Sequence, residues 1–340
     1  MPQKYALIIG NGRSGTNWLL SMLDASPKTH CRNEPHDIAT SPFHNLPSAQ
    51  TLQAAPNEMA ERWEHFTTWT GTHMGERDHR IKFSKHHVYP LSQRLGVAYW
   101  PVRPKIRTAL KLFLPSLRQG EWHMPWWIGS QRQLEQSYAI FKINDFRAWY
   151  TRWLLQERPQ VPVVHLARHP GGQLNSGIKR FFSELSEPEL AQEEQLYKGI
   201  LKTAVALEPQ WQDVFGNIDK MELIEAVAWF WRYNNEAIFE SGKHYDNYMF
   251  ITYEQLITDP ISYAERLYQH CNLDWNADIE TAIMSGLSTS VWGKLSKDAQ
   301  AIANSWKKSL DPNYQAIAAR VLKGSTIEHF WDEARLSDVN

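Results

Sequence analysis

The residues with the clearest chemical capacity come early in the chain: Gly10-Asn11-Gly12-Arg13-Ser14-Gly15-Thr16-Asn17, preceded by the apolar run 5–9 and followed by Trp18-Leu19-Leu20. A strand-like run that ends in closely spaced glycines and continues as a helix aims successive backbone N–H groups at one point. The positive end of the helix dipole adds to them, so the favoured guest is an anion, above all a phosphate. Gly10-x-x-x-x-Gly15 matches the opening of the nucleoside-triphosphatase P-loop, but Thr16 stands where that loop carries its lysine. The lysine and its metal-binding neighbour are missing in register. Arg13 stands beside the turn instead, and a guanidinium offers a fixed fork of donors suited to phosphate oxygens. The stretch predicts an anion cradle of Gly12, Arg13, Ser14, Gly15, Thr16 and Asn17 that works without a bound metal. A tight turn with no ligand is the alternative.

These residues resemble the 5′-phosphosulfate loop of the sulfotransferases that use 3′-phosphoadenosine 5′-phosphosulfate. A second stretch, Val161-Pro-Val-Val-His-Leu-Ala-Arg168-His169-Pro170 and then Gly171-Gly-Gln-Leu-Asn-Ser176, is similar to that family's other signature: a buried strand ending in Arg-x-Pro, with a Ser eight residues after the Arg. The resemblance implies that Arg168 and Ser176 hold the donor's 3′-phosphate. Arg168 can make the bidentate charged contact this needs. Ser176 is expected near the start of the following helix, where a hydroxyl and free N–H groups suit a phosphate. A strand-end ion pair is the other reading of Arg168, and the family more often has Asp where His169 stands. The W-x-x-x-N pattern in the predicted helix 222–239 and Tyr253-Glu254-x-Leu256 before Pro260 carry the resemblance to about residue 260.

Sulfuryl transfer requires that an acceptor oxygen lose its proton as it attacks sulfur in line, so a positioned carboxylate or imidazole is needed. The segment Cys31-Arg-Asn-Glu34-Pro35-His36-Asp37 is dense in such groups. Carbohydrate-type members of the family carry a Glu-Pro pair at the matching position, which implies Glu34 as general base. Burial would raise its pKa toward the working pH. His36 is the rival base, and a solvated or capping Glu34 is the plain alternative. Third come His86 and His87, since Ile81-Lys-Phe-Ser-Lys-His-His87 resembles, in shifted register, a family strand that ends in Lys-x-His.

The elements that must position these groups read as an α/β fold. Strands at 138–143 and 161–167 around a helix at 145–156 are apolar almost throughout, which predicts a parallel sheet covered by helices on both faces. With the resemblance, the expected architecture is a P-loop-like three-layer α/β/α domain spanning 1–340, with a helical insertion at about 40–135 over the active-site edge. Ligands in such sheets lie at the carboxyl ends of the strands, where both phosphate motifs fall.

Three features remain open. From His79 to Gly120 there is no Asp or Glu but nine Lys or Arg residues. That segment reads as donor-binding wall, as a site for an anionic acceptor, or as an interfacial membrane helix. Trp122, Trp126 and Trp127, in a chain with 16 Trp, offer flat faces for a sugar ring, with core packing as the default. Lys294, Lys307 and Lys308 are candidate late phosphate contacts, because the family brings a basic segment back over the donor nucleotide.

The bulk properties exclude more than they identify. A net charge of −1 gives no global attraction to nucleic acid or membrane. Cys31 and Cys271 make no disulfide framework or zinc pattern. The apolar run before the glycines is too short for a signal peptide, so the expected setting is cytoplasmic. The activity expected is transfer of a sulfuryl group from 3′-phosphoadenosine 5′-phosphosulfate to a hydroxyl of a carbohydrate or glycolipid. A P-loop phosphotransferase and a non-catalytic binder of nucleotide or anionic glycan are the rivals. Oligomeric state is not legible.

Overall fold

The computed structural model describes residues 4–37, 41–44, 49–72, 137–289 and 299–332. Strands β1 (Tyr5–Gly10), β2 (Thr29–Asn33), β3 (Tyr138–Asn144), β4 (Val163–Ala167) and β5 (Tyr248–Thr252) form one parallel sheet in the order β2-β3-β1-β4-β5. Alternate residues point to opposite layers. Leu7, Ile9, Phe141 and Val163 join one core cluster; Ala6, Ile8, Ile140 and Val164 join the other. Both faces are dry, which is why the strands are continuously apolar.

Helix α1 (Thr16–Asp24) follows β1, and α2 (Ala49–Ala54) and α3 (Pro56–Thr72) follow β2. Helix α4 (Ala148–Glu157) joins β3 to β4. Between β4 and β5 come α5 (Pro170–Gly177), α6 (Glu187–Leu207), α7 (Trp211–Phe215) and α8 (Leu223–Gly242). After β5 come α9 (Tyr253–Thr258), α10 (Pro260–His270), α11 (Ala277–Thr289), α12 (Ala299–Ala303), α13 (Trp306–Ser309) and α14 (Pro312–Leu322). Helices α1, α9 and α10 cover one face; α3, α4, α6, α8 and α14 cover the other. The expected three-layer α/β/α arrangement is what forms. No helix among the described residues is long and apolar enough to cross a membrane.

One expectation falls largely outside the described residues, and another changes. The cover foreseen at 40–135 lies mostly outside the described residues, as do the basic run of 79–120, His86, His87 and the cluster Trp122–Trp127. Its described part is a core element: Met59, Trp63 and Phe66 of α3 are buried with Phe43, Phe141 and Phe146. The helix foreseen at 145–156 begins at Ala148, because Asp145 adopts a left-handed φ of 53° and Arg147 is extended. Asp145 is committed elsewhere. Its N–H donates to the Gly10 carbonyl at 2.8 Å and its Oδ1 accepts from the Gly12 N–H at 3.1 Å, clamping the glycine turn to the end of β3. Neither cysteine is in a disulfide, and both are buried.

Trp63 is fully buried and donates from Nε1 to the Tyr5 hydroxyl at 2.8 Å. Trp63→Ala should lower the unfolding free energy by about 3–5 kcal/mol in denaturant titrations. A loss under about 1 kcal/mol, the size of an ordinary surface change, would remove α3 from the core.

Candidate active site

The glycine turn is shaped by close approach. A Cβ on Gly10 would sit 2.4 Å from the Leu166 carbonyl, and one on Gly15, at φ 102°, would lie 2.7 Å from the Tyr253 ring. Arg13 also takes a left-handed φ of 73°, a conformation that costs a non-glycine residue and recurs at ligand clamps. Gly15 caps α1 without a side chain, so the first N–H groups of that helix meet no capping oxygen. The Ser14 hydroxyl is fully buried and has no hydrogen-bond partner among the described residues. A buried orphan donor in a cradle of this shape fits an anion.

The second motif closes directly on the first. Arg13 Nε donates to Ser176 Oγ at 2.9 Å, and Arg168 Nη1 points at the Arg13 carbonyl at 3.4 Å. The Arg168 guanidinium lies 4.4 Å from the Tyr253 ring centroid, and its Nε is buried without a partner among the described residues. Gly172 makes room for it, since a Cβ there would come within 2.8 Å of that Nε. Burial, with Arg168 and Arg180 nearby, lowers the pKa of Arg13. Clustered cations with unused donors fit a doubly phosphorylated ligand.

Ser176 reaches this place by a route different from the one expected. Helix α5 starts at Pro170, directly after the strand end, so Ser176 lies in its last turn and has no access to helix N-terminal N–H groups. It shares a face with Gly172, one turn earlier, and meets the loop through its hydroxyl alone. His169 Nδ1 accepts from the Gly171 N–H at 3.1 Å, which is the capping work an Asp would do. Its ring stacks on Trp306 at 4.5 Å. Its N–H donates to Glu254 Oε1 at 3.2 Å, and Glu254 Oε2 accepts from Trp331 Nε1 at 2.7 Å. Burial first, then the charges of Lys307 and Arg168, lower the His169 pKa to about 3. Lys307 therefore lies in reach of the second motif's electrostatics; Lys294 is outside the described residues.

On the other side of the loop lies a residue the sequence reading passed over. Lys142, in the middle of β3 and fully buried, donates from Nζ to Asn17 Oδ1 at 2.7 Å, Asn33 Oδ1 at 2.8 Å and Glu34 Oε1 at 2.7 Å. Asn144 Nδ2 also donates to Glu34 Oε1, while its Oδ1 accepts from Thr16 Oγ1 at 2.9 Å. Glu34 is thereby tied to the cradle through two bridges. It sits at the end of β2 with φ 55°, and its N–H extends the β2–β3 pairing by donating to the Lys142 carbonyl at 2.9 Å. His36 Nε2 lies 3.1 Å from Asp37 Oδ1. The available signal was a lysine inside the apolar string Ala139-Ile-Phe-Lys142-Ile, because lysine is almost never fully buried unless paired. The described strand beside the loop's own therefore ends in Lys142-Ile143-Asn144, not in a histidine.

Sheet order arranges these groups along one edge. Arg168 follows β4, the cradle follows β1, Asn144 and Asp145 end β3, and Glu34 follows β2. Since β3, β1 and β4 are adjacent, the sequence of stations is cationic clamp, anion cradle, carboxylate. Chain direction diverges on either side of β1, where sheets of this class bind ligands.

Residues 6–277 match the Sulfotransferase family, and the chain belongs to it. It is similar to the mouse sulfotransferase SULT7A1 complexed with PAP, at 12% identity and TM-score 0.44, over 97% of this chain and 88% of that one. It is also similar to the sulfotransferase domain of the Synechococcus PCC 7002 olefin synthase, at 19% identity and TM-score 0.42 over 94% of each chain. A third similar structure is the Mycobacterium avium sulfotransferase STF9, at 12% identity and TM-score 0.38, over 85% of this chain and 68% of that one. Comparison with curated protein sequences returns no match.

Two measurements test this geometry. Lys142→Met leaves the Glu34 carboxylate and two amide oxygens without their shared donor, and should cost about 3–5 kcal/mol of stability. Adding Glu34→Gln should restore part of it. The second concerns pH. His165, wholly buried between Tyr248 and Asn235, has its pKa lowered by burial to about 4. His165 and His169 stay neutral in the folded protein while the unfolded chain takes up protons. Stability should therefore fall as pH drops from about 6.5 toward 4, by up to about 1.4 kcal/mol per pH unit for each histidine. His169→Asn keeps the cap and should make that slope shallower by about 1 kcal/mol per pH unit. Equal slopes would show that His169 is not held neutral.

Proposed function

We propose that this sulfotransferase moves a sulfuryl group from 3′-phosphoadenosine 5′-phosphosulfate to a hydroxyl of a carbohydrate or glycolipid. The observation that carries the donor assignment is the closure of the two motifs, with Arg13 Nε on Ser176 Oγ and Arg168 against the Arg13 carbonyl. One molecule with phosphates at both ends is what such paired anion sites serve. The donor supplies an activated sulfuryl group on a good leaving phosphate.

In this reading Arg168 and Ser176 hold the 3′-phosphate. Residues Gly12 to Asn17 hold the phosphosulfate, with Arg13 and the α1 N-terminus stabilising charge on the leaving oxygen. Glu34 takes the acceptor's proton as the new oxygen–sulfur bond forms and the sulfur–oxygen bond to phosphate breaks, releasing adenosine 3′,5′-bisphosphate. Lys142 orients Glu34 and places positive charge beside the cradle. Lys142 and Asn144 both meet Glu34 through Oε1 and fix its carboxylate. His36 is the substitute base. The carbohydrate class rests on Glu34-Pro35 alone.

Calorimetric titration should give binding of adenosine 3′,5′-bisphosphate and none of ATP with Mg²⁺; the reverse result overturns the donor assignment. Arg168→Ala should weaken the bisphosphate by at least about tenfold, as expected for loss of charged hydrogen bonds. Glu34→Gln should leave bisphosphate affinity within about twofold while lowering labelled-sulfate transfer by about a hundredfold. Full activity in Glu34→Gln would move the base elsewhere.

A further inference from the structure

A small cavity opens beside the loop on the α8 side of the sheet, away from Lys142. Its volume is about 60 Å³, and Gly12 and Arg13 form part of its wall. Two acceptor oxygens serve it. Asp145 lines the cavity and uses Oδ1 for the Gly12 N–H, whereas no described residue donates to its Oδ2. Gln173, on α5, also lines it, and its Oε1 is buried with no donor among the described residues. An unpaired buried acceptor such as Gln173 Oε1 is costly, and Asp145 Oδ2 faces the same cavity, so a ligand that donates to both is favoured over one that accepts.

The rest of the wall is aromatic. Tyr197 and Phe230 pack 5.4 Å apart, and Trp231 and Phe181 complete that side, the latter delivered by a single π-turn at Ile178–Phe182. Single π-turns inside helices recur at functional sites. Ring faces attract cations. Burial raises the Asp145 pKa; among its charged neighbours Arg147 opposes that rise while Glu34 and Asp37 add to it, and Arg13 shares the cavity wall. Arg147 donates to the Asp145 carbonyl at 2.7 Å and covers Phe230 at 4.8 Å, and Arg13 is turned onto Ser176. Neither guanidinium donates to the Asp145 carboxylate.

Resting on the function proposed above, we infer that the acceptor carries a protonated primary amine close to the hydroxyl that receives the sulfuryl group, and that this cavity holds it through Asp145 and Gln173. Size sets the scale: a water needs roughly 15 Å³, so the cavity admits a substituent of about four heavy atoms and not a sugar ring. Burial and the nearby Asp145 charge raise the Tyr197 pKa, so its hydroxyl stays protonated beside the ammonium. The clamp on Gly12 needs only one carboxylate oxygen, which an amide would supply equally. The second oxygen and the orphan glutamine are what an ammonium group uses.

Glucosamine and glucose are the probes, titrated into the full chain with and without adenosine 3′,5′-bisphosphate. The wild type should prefer glucosamine by about tenfold, the worth of one charged hydrogen bond. Asp145→Asn and, separately, Gln173→Met should each bring that ratio toward one. The ratio is the readout, because any loosening of the loop weakens both sugars alike. Equal binding of the two sugars by the wild type, binding of neither, or an unchanged ratio in both variants overturns the inference. Failure of the wild type to bind the bisphosphate would instead sink the donor assignment, so the two failures are separable.

Discussion

The ammonium group of Lys142 is the constraint on which one half of the site depends. A cation in a fully dry strand is tolerated only when its donors are all used, and here they go to three different elements: Asn17 of α1, Asn33 of β2 and Glu34 just beyond it. Removing it would take the shared donor from all three. The cost of burying one charge thus ties the glycine turn, the sheet edge and the candidate base into a single unit. The left-handed φ of Glu34 is held by the same bonds.

The other half depends on the support behind Arg168. A long flexible side chain must be ordered before it can recognise a phosphate, and its entropy is lost when it is fixed. Tyr253 stacks on the guanidinium, Gly172 leaves space for it, and Trp231 Nε1 donates to its carbonyl at 3.0 Å. Glu254 then links His169 to Trp331, which draws a turn near the end of the described chain against the mid-chain motif. The pair Tyr253-Glu254 supports Arg168 and His169, and the Tyr253 ring also packs against Gly15 of the cradle. A clamp built this way is ordered in advance, which spares binding energy for the ligand.

Asp145 joins the two halves by serving different purposes with its different atoms. Its N–H and Oδ1 close the glycine turn onto β3. Its other oxygen stands open toward the aromatic side of the loop. Placing such a residue at φ 53° ends the strand abruptly and delays α4, so a deviation from the simple strand-to-helix pattern marks a working position.

Much of this was legible before any coordinates. Local chemistry of Gly10 to Asn17 requires a strand, a tight turn and a bare helix start, because glycine and Thr or Asn at those spacings permit little else. Continuous apolar runs at 5–9 and 161–167 call for a parallel sheet dry on both faces. Those are properties of neighbouring residues, and sequence carries them. Contacts across more than 100 residues are another matter: that Lys142 meets Glu34, that Arg13 meets Ser176, and that Ser176 sits in the last turn of its helix depend on strand order and on where α5 begins. No local pattern encodes strand order. It is set by how the whole chain buries its apolar faces, and only the folded structure decides which polar side chains are left facing one another.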